Sequence, residues 1–362
     1  MLRVAAFNLV LIPLLGGRAV AQEVHHIPDE PSCTDCSIAL STVMRLGATD
    51  GPGMLDWRGG QSFPAFDSRG RIYLRGFFTK ELKVYDAGGN YEATIGGEGD
   101  GPGEFKGIMG IAIGSFDSLY VFDRLAMRLS VFSPDHVFAR SARLEIEPSG
   151  YDPVLFPWDP DHFYMTAHMR TPDLIGWPIH KIDMAGSRVH SFGSSTGEYS
   201  PVDSFGGTRI IANGGNGTLW SGRLEEYVIE RISPNSRVPL EVVRREAEWF
   251  PEPEYTDTEH GTRKPPPLVT SIFQDGDRLW VLTWVPDPKW SDAGPGLEDK
   301  YKRYDSVIEV IDIREDRVIA RSRFDALYHQ FLGPGLIGGT IFEGGLIPVY
   351  HIMRMEIRGL GN

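Results

Sequence analysis

Six spaced copies of a turn followed by two strands, a chain rich in turn residues, and a lone N-terminal strand that supplies what the last copy lacks together predict an all-β fold. The specific expectation is a six-bladed β-propeller of four-stranded antiparallel blades, closed by the N-terminal strand pairing into the C-terminal blade. The clearest copy lies at residues 91–134. A short strand at 91–95 leads into a loop carrying Pro102, Gly103 and Phe105, and strands follow at 108–114, 119–123 and 129–133. Each is rich in Ile, Val, Phe or Tyr and is bounded by Gly, Asp or Ser, the pattern of an antiparallel meander. One such sheet cannot cover both its faces, so the rest of the chain should repeat it.

It does so in order. Turns fall at 67–70, 115–117, 159–161, 213–217, 275–277 and 343–345, followed by RIYL, SLYVF, HFYMT, TLWSG, RLWVL and LIPVY. A third strand comes after each: LKVYD, RLSVFS, IHKIDM, VIERIS, VIEVID and MRMEIR. The strand at 39–47 precedes Gly51-Pro52-Gly53 just as 91–96 precedes Gly101-Pro102-Gly103, so it is an outermost strand with no inner strands before it. The last unit stops after its inner three. Joining the two makes a sixth blade and removes the open edges of a linear array.

Residues 1–21 read as a signal peptide: Arg3, an apolar run at 4–15 broken by Pro13, and Ala19-Val20-Ala21 as the cleavage pattern. The mature chain then starts at Gln22, residues 22–36 form a loose N-terminal segment, and 37–362 form the propeller. Export to the periplasm or the medium follows. With 49 acidic against 36 basic residues the net charge is −13, and no basic cluster offsets it, which disfavours nucleic acid and anionic lipid as partners. Cys33 and Cys36 are the two cysteines, and in an exported chain they predict a local disulfide. Ser37 stands where haem attachment needs His, no βαβ pattern surrounds the pair, and no further ligands have finger-like spacing. His25-His26 reads as a chance pair in the loose segment.

Gly99, Gly101, Pro102, Gly103 and Phe105 in the loop, LYVFD at 119–123, Arg128-Leu129 and Val131-Phe132 resemble the NHL-type six-bladed propellers. The resemblance covers residues 46–135; later units keep only turn and strand spacing. It implies the fold and says little of function. Gluconolactonase-like and amidating-lyase propellers hold a divalent ion in the channel on ligands from several blades. Here that would make Asp56, Glu104, Asp152, Asp203, Glu343 and His329 the candidates, with Ca2+ the cation considered. Turn or rim positions account for most of them equally well.

In such a blade, strands a to d run outward from the channel, and the d–a and b–c loops share one face. Two long segments, 245–267 and 286–304, and a third at 168–178 belong to that face, and loops of this length are usually functional. They carry Trp249, Tyr255, His260, Trp290, Tyr301 and Arg303, and shorter loops bring Trp57, Arg58 and Lys106 near the channel mouth. Aromatic rings beside cations suit a binding surface. The competing reading packs Trp249 and Trp290 as lids. Gly193-Ser194-Ser195-Thr196-Gly197 matches a nucleophile elbow in letters but joins no strand to a helix, and no phosphate loop is present. The expected function is a monomeric, exported binding module for a small molecule, glycan or protein, with no cofactor and no chemistry of its own. The alternative is a metal-dependent lactonase-, esterase- or lyase-like enzyme.

Overall fold

A computed structural model describes residues 23–55, 63–76, 78–146, 148–149, 154–169, 174, 176–193, 208–236, 238–253, 265–290, 303–343 and 347–360. Strands β1 (Glu23–Ile27) and β2 (Ser37–Leu46) precede the first blade. Blade 1 is β3–β6 (Phe63–Phe66, Ile72–Arg75, Glu81–Tyr85, Tyr91–Gly96) and blade 2 is β7–β10 (Ile108–Ile113, Leu119–Asp123, Arg128–Phe132, Phe138–Arg143). The short strands β11 (Pro148–Ser149) and β14 (His168–Met169) pair with each other, and blade 3 is β12, β13, β15 and β16 (Leu155–Asp159, His162–Thr166, Ile179–Asp183, Arg188–Phe192). Blade 4 is β17–β20 (Arg209–Asn213, Leu219–Arg223, Val228–Ile232, Glu241–Arg245) and blade 5 is β21–β24 (Leu268–Asp275, Arg278–Pro286, Tyr304–Asp312, Arg317–Phe324). Blade 6 takes β25–β27 (Gln330–Gly333, Leu336–Glu343, Ile347–Arg358) from the C-terminal end. Its fourth strand is β2, antiparallel to β27, with Ser37 opposite Arg358 and Leu46 opposite Tyr350. The predicted six-bladed, circularly closed propeller is the fold.

The core shows why the sheets need one another. Buried side chains fall into one cluster between each pair of neighbouring blades, as with Leu119 and Phe132 of blade 2 against Tyr73 and Leu82 of blade 1. The loop after β6 seals such a joint. Phe105 is fully buried beneath Gly96, whose φ is +94° and where a Cβ would lie 2.6 Å from the Phe105 ring. Only glycine fits both the backbone and the space. Phe105 N–H donates to Gly97 O at 2.8 Å, and Gly101 N–H donates to the Glu104 carboxylate at 2.8 Å. In the first copy of the loop, buried Leu55 lies in the same way against Gly47.

Two expectations are corrected. In the last blade the connection expected to join strands a and b at 343–345 instead follows strand b, which ends at Glu343, and IPVY at 347–350 and MRMEIR are parts of the single strand β27 (Ile347–Arg358). Strand b is β26, which includes Gly338 and Gly339. Gly338 is needed there because a Cβ would meet the Tyr350 hydroxyl at 2.0 Å. The second correction concerns residues 22–36. The segment from Glu23 is held: β1 adds to the outer edge of blade 4 as a fifth strand, parallel to β20, with Glu23 beside Glu241 and Ile27 beside Arg245. The chain then crosses blade 5, where Ser32 N–H donates to Val318 O at 2.8 Å, and reaches blade 6 through the Cys33–Cys36 disulfide. One stretch thus straps three blades.

The strap is anchored on buried charge. Arg245 and Glu309 have fully buried side chains 2.8 Å apart, and Tyr227 Oη donates to Glu309 Oε2 at 2.6 Å. Arg245 Nη1 also donates to the carbonyls of Ile27 and Pro28 at 2.9 and 2.7 Å. Asp29 accepts from Arg321 at 2.5 Å, Trp249 Nε1 at 3.0 Å and Arg245 at 3.3 Å. Burial opposes the Asp29 charge, but the hydrogen bonds and charges of Arg321, Trp249 and Arg245 outweigh it and hold the carboxyl below its usual value.

Arg245→Ala should cost about 3 kcal/mol in urea unfolding, because buried Glu309 loses its closest cation and keeps only Tyr227 Oη at 2.6 Å and the longer Arg321 contact at 3.4 Å, and adding Glu309→Gln should recover part of that loss. The Asp29 clasp should be intact above pH ~4, the ordinary aspartate value, and be lost as pH falls through its lower native value. Hydrogen exchange across β1 should accelerate in that range, and Asp29→Asn should remove the pH dependence.

Candidate functional site

In each blade, strands a and b set an opposed pair of residues toward the d–a and b–c loops. The pairs are Phe63–Arg75, Ile108–Asp123, Leu155–Met165, Arg209–Arg223, Leu268–Trp284 and Gln330–Gly338. The blade 2 pair is structural: the buried Asp123 carboxylate accepts the amides of Lys106, Gly107, Leu125 and Ala126 at 2.7–3.1 Å. Three others bring functional groups. Arg75 is buried with its guanidinium 4.3 Å from the Phe63 ring centre. His329, just before strand a of blade 6, lies 6.0 Å from both Phe63 and Trp284, and Trp284 is 5.9 Å from Tyr304. Trp284 Nε1 donates to Tyr328 O at 2.6 Å, which fixes the indole.

Blade 4 places two guanidiniums in one pair. Arg209 is 2% exposed, and burial pushes it down to about 10; the Arg223 charge adds to this, while Glu230 and Glu226 oppose it. Arg223 donates to Glu226 at 2.6 Å and to Glu230 at 3.2 Å. Blade 4 thus sets two buried arginines and the carboxylates of Glu226 and Glu230 at the loop end of its inner strands.

Further out on blade 5, carboxylate oxygens of Asp287, Asp305 and Asp325 lie within 4.8 Å of one another. Asp305 Oδ2 accepts from Arg323 Nε at 2.6 Å, Lys289 Nζ pairs with Asp325 at 3.0 Å, and Asp305 Oδ1 is buried with no hydrogen-bond partner. Burial raises the Asp305 pKa, with Arg323 opposing and the charges of Asp287 and Asp325 adding.

The residues picked from sequence fall in different places. Trp249 is half-buried in the strap joint, edge-on to Tyr227 and Phe250 and 5.2 Å from the Arg321 guanidinium. Trp290 and Arg303 lie at the ends of the fifth-blade loop, Trp290 N–H donating to Asp287 O at 2.9 Å and Arg303 O accepting from Asp287 N–H at 2.8 Å. Lys106 is exposed and pairs with Asp100 at 2.6 Å. Trp57, Arg58, Tyr255, His260 and Tyr301 lie outside the described residues, as do Asp56, Asp152, Asp203 and Ser195. Glu104 caps Gly101, Glu343 pairs with Arg45 and His351, and His329 belongs to the ring cluster, so these three do not converge on one point. Sequence reasoning passed over Arg75, Arg209 and Arg223. Their signal was an arginine where the repeat otherwise sets an apolar residue or aspartate at the end of an inner strand.

The family profile of DUF5128, described as a 6-bladed beta-propeller, matches residues 66–172. No curated protein matches the chain in sequence. Among solved structures, a Bacteroides fragilis protein named as an exported one aligns at TM-score 0.61 and 11% identity, over 92% of this chain and 99% of its own. A DUF4221 family member from Bacteroides vulgatus aligns at 0.59 and 11%, over 89% and 99%. The likeness is one of fold.

Because its charge is held at a cost, Asp305 can be relieved of it. Asp305→Asn should raise the thermal midpoint at pH 7 by about 1–2 °C, an advantage that shrinks as the pH falls and Asp305 takes up its proton. Differential scanning calorimetry at pH 7 and pH 5 checks this.

Proposed function

We propose that the protein is an exported, NHL-type propeller that binds an anionic small molecule or glycan at the loop-face channel mouth as a monomer, without chemistry of its own. The observation that carries this is the Arg209–Arg223 pair, two like charges set side by side in a buried rung, with Arg209 pushed down by burial. Guanidiniums at this position offer planar, charged donors that the carboxylate or phosphate of an anion can accept from. Arg75, stacked on Phe63, and Trp284 beside Tyr304 supply a third cation and flat apolar surfaces for a sugar or ring. Export accords with the leader pattern and with the Cys33–Cys36 disulfide.

Titration with glucuronate oligomers, followed by tryptophan emission, should give saturable binding that neutral glucose oligomers do not. Arg209→Gln should weaken it at least ~10-fold while leaving the fold as stable or more so. Absence of saturation, or equal affinity in Arg209→Gln, counts against the reading. A metal-dependent hydrolase or lyase is the second reading, and the unsatisfied Asp305 oxygen between Asp287 and Asp325 is what favours it. It requires a stoichiometric divalent ion that Asp305→Asn releases.

A further inference from the structure

The strand β1 carries an arrangement that neither reading uses. Along a strand, residues two apart share a face, so Glu23 and His25 lie side by side, and the parallel register sets Glu241 of β20 next to Glu23. Nitrogen and carboxylate oxygens of Glu23, His25 and Glu241 come within 4.8 Å of one another. The His25 side chain is 8% exposed. Its Nδ1 lies 2.5 Å from Asp316 Oδ1, on the turn between strands c and d of blade 5. Its Nε2 has no hydrogen-bond partner and lies 3.9 Å from Glu23 Oε1. With Nδ1 engaged by the Asp316 carboxylate, Nε2 is the ring nitrogen left for a metal on the side of Glu23 and Glu241. That is how metal-binding histidines are oriented. Arg231 Nε, 2.8 Å from Glu241 Oε2, neutralises only one of the three carboxylates around the ring.

We propose that Glu23, His25 and Glu241 form a site for a first-row divalent cation of the Zn2+ type, which fastens β1 to blade 4. An imidazole nitrogen with two carboxylate oxygens is a ligand set that such ions accept, with water in the fourth position. Ca2+ and Mg2+ are disfavoured, because they call for more oxygen ligands and no nitrogen. Tetrahedral ligands on ~2.1 Å bonds stand ~3.4 Å apart, so the 3.9 Å gap between His25 and Glu23 needs only a small side-chain closure. The site lies at the outer rim, away from the channel mouth and from Asp305, so neither proposed function depends on it.

The test uses untagged, chelator-treated protein titrated with ZnCl2 by calorimetry and with CoCl2 by visible absorption. One equivalent should bind, Co2+ should show the intense bands of low coordination, and Zn2+ should raise the thermal midpoint by about 3 °C. His25→Gln should weaken binding at least ~10-fold. The double variant Glu23→Gln/Glu241→Gln keeps the His25–Asp316 bond and the parallel pairing, so it should fold as before and lose the Zn2+-dependent shift. No stoichiometric binding, or full affinity in the double variant, overturns the proposal. So does binding that Asp305→Asn, rather than the β1 variants, removes.

Discussion

A four-stranded sheet has two apolar faces and can bury neither alone, so the whole structure depends on closing six such sheets into a ring. The pairing of β2 with β27 is that closure. It brings Leu46 and Tyr350 of blade 6 against Leu55 and Tyr85 of blade 1, so the joint between the first and last blades is packed like the rest. Burial between neighbours is the dominant favourable term for such an array. Unpairing one strand would expose both an apolar face and a row of backbone groups.

The same N-terminal stretch reinforces three consecutive blades, and it does so with charge. Arg245, Glu309 and Asp29 form a group in which each ion meets opposite charge and several donors, so the cost of burial is offset within the network. Arg209 and Arg223 are the contrasting case. Both are buried in blade 4, where they oppose each other across one rung beside Glu230 and Glu226. The first group explains a fold. The second sets charged donors at the loop end of two inner strands, which is why the functional reading is built on it.

The repeat and its closure were legible because they rest on local signals: turn residues, alternating strands, and the Gly-Pro-Gly loop whose Gly96 must admit Phe105. The last blade misled for an equally physical reason. Gly338 and Gly339 break the strand pattern in the sequence, whereas in the fold they make room for Tyr350 and for the backbone at Leu327. The site was less legible. A cluster of side chains drawn from blades 1, 5 and 6, and an arginine pair in blade 4, have no linear signature, whereas aromatic residues in long loops do, among them Trp249, which is built into the strap joint. An edge strand that pairs in parallel across more than two hundred residues, as β1 does with β20, leaves no trace in local periodicity either.

Placing β1 changes the standing of its histidine. In a loose segment, His25 is one of a chance pair; on a fifth strand, it is a buried ring with one nitrogen tied to Asp316 and the other facing two glutamates. A propeller closed by its N-terminal segment has to keep that segment down, and every attachment along it spans a boundary between parts of the chain. Parallel pairing with β20, the Arg245 group and the disulfide before β2 act at successive points. A cation on β1 would add a further one at the first of these points.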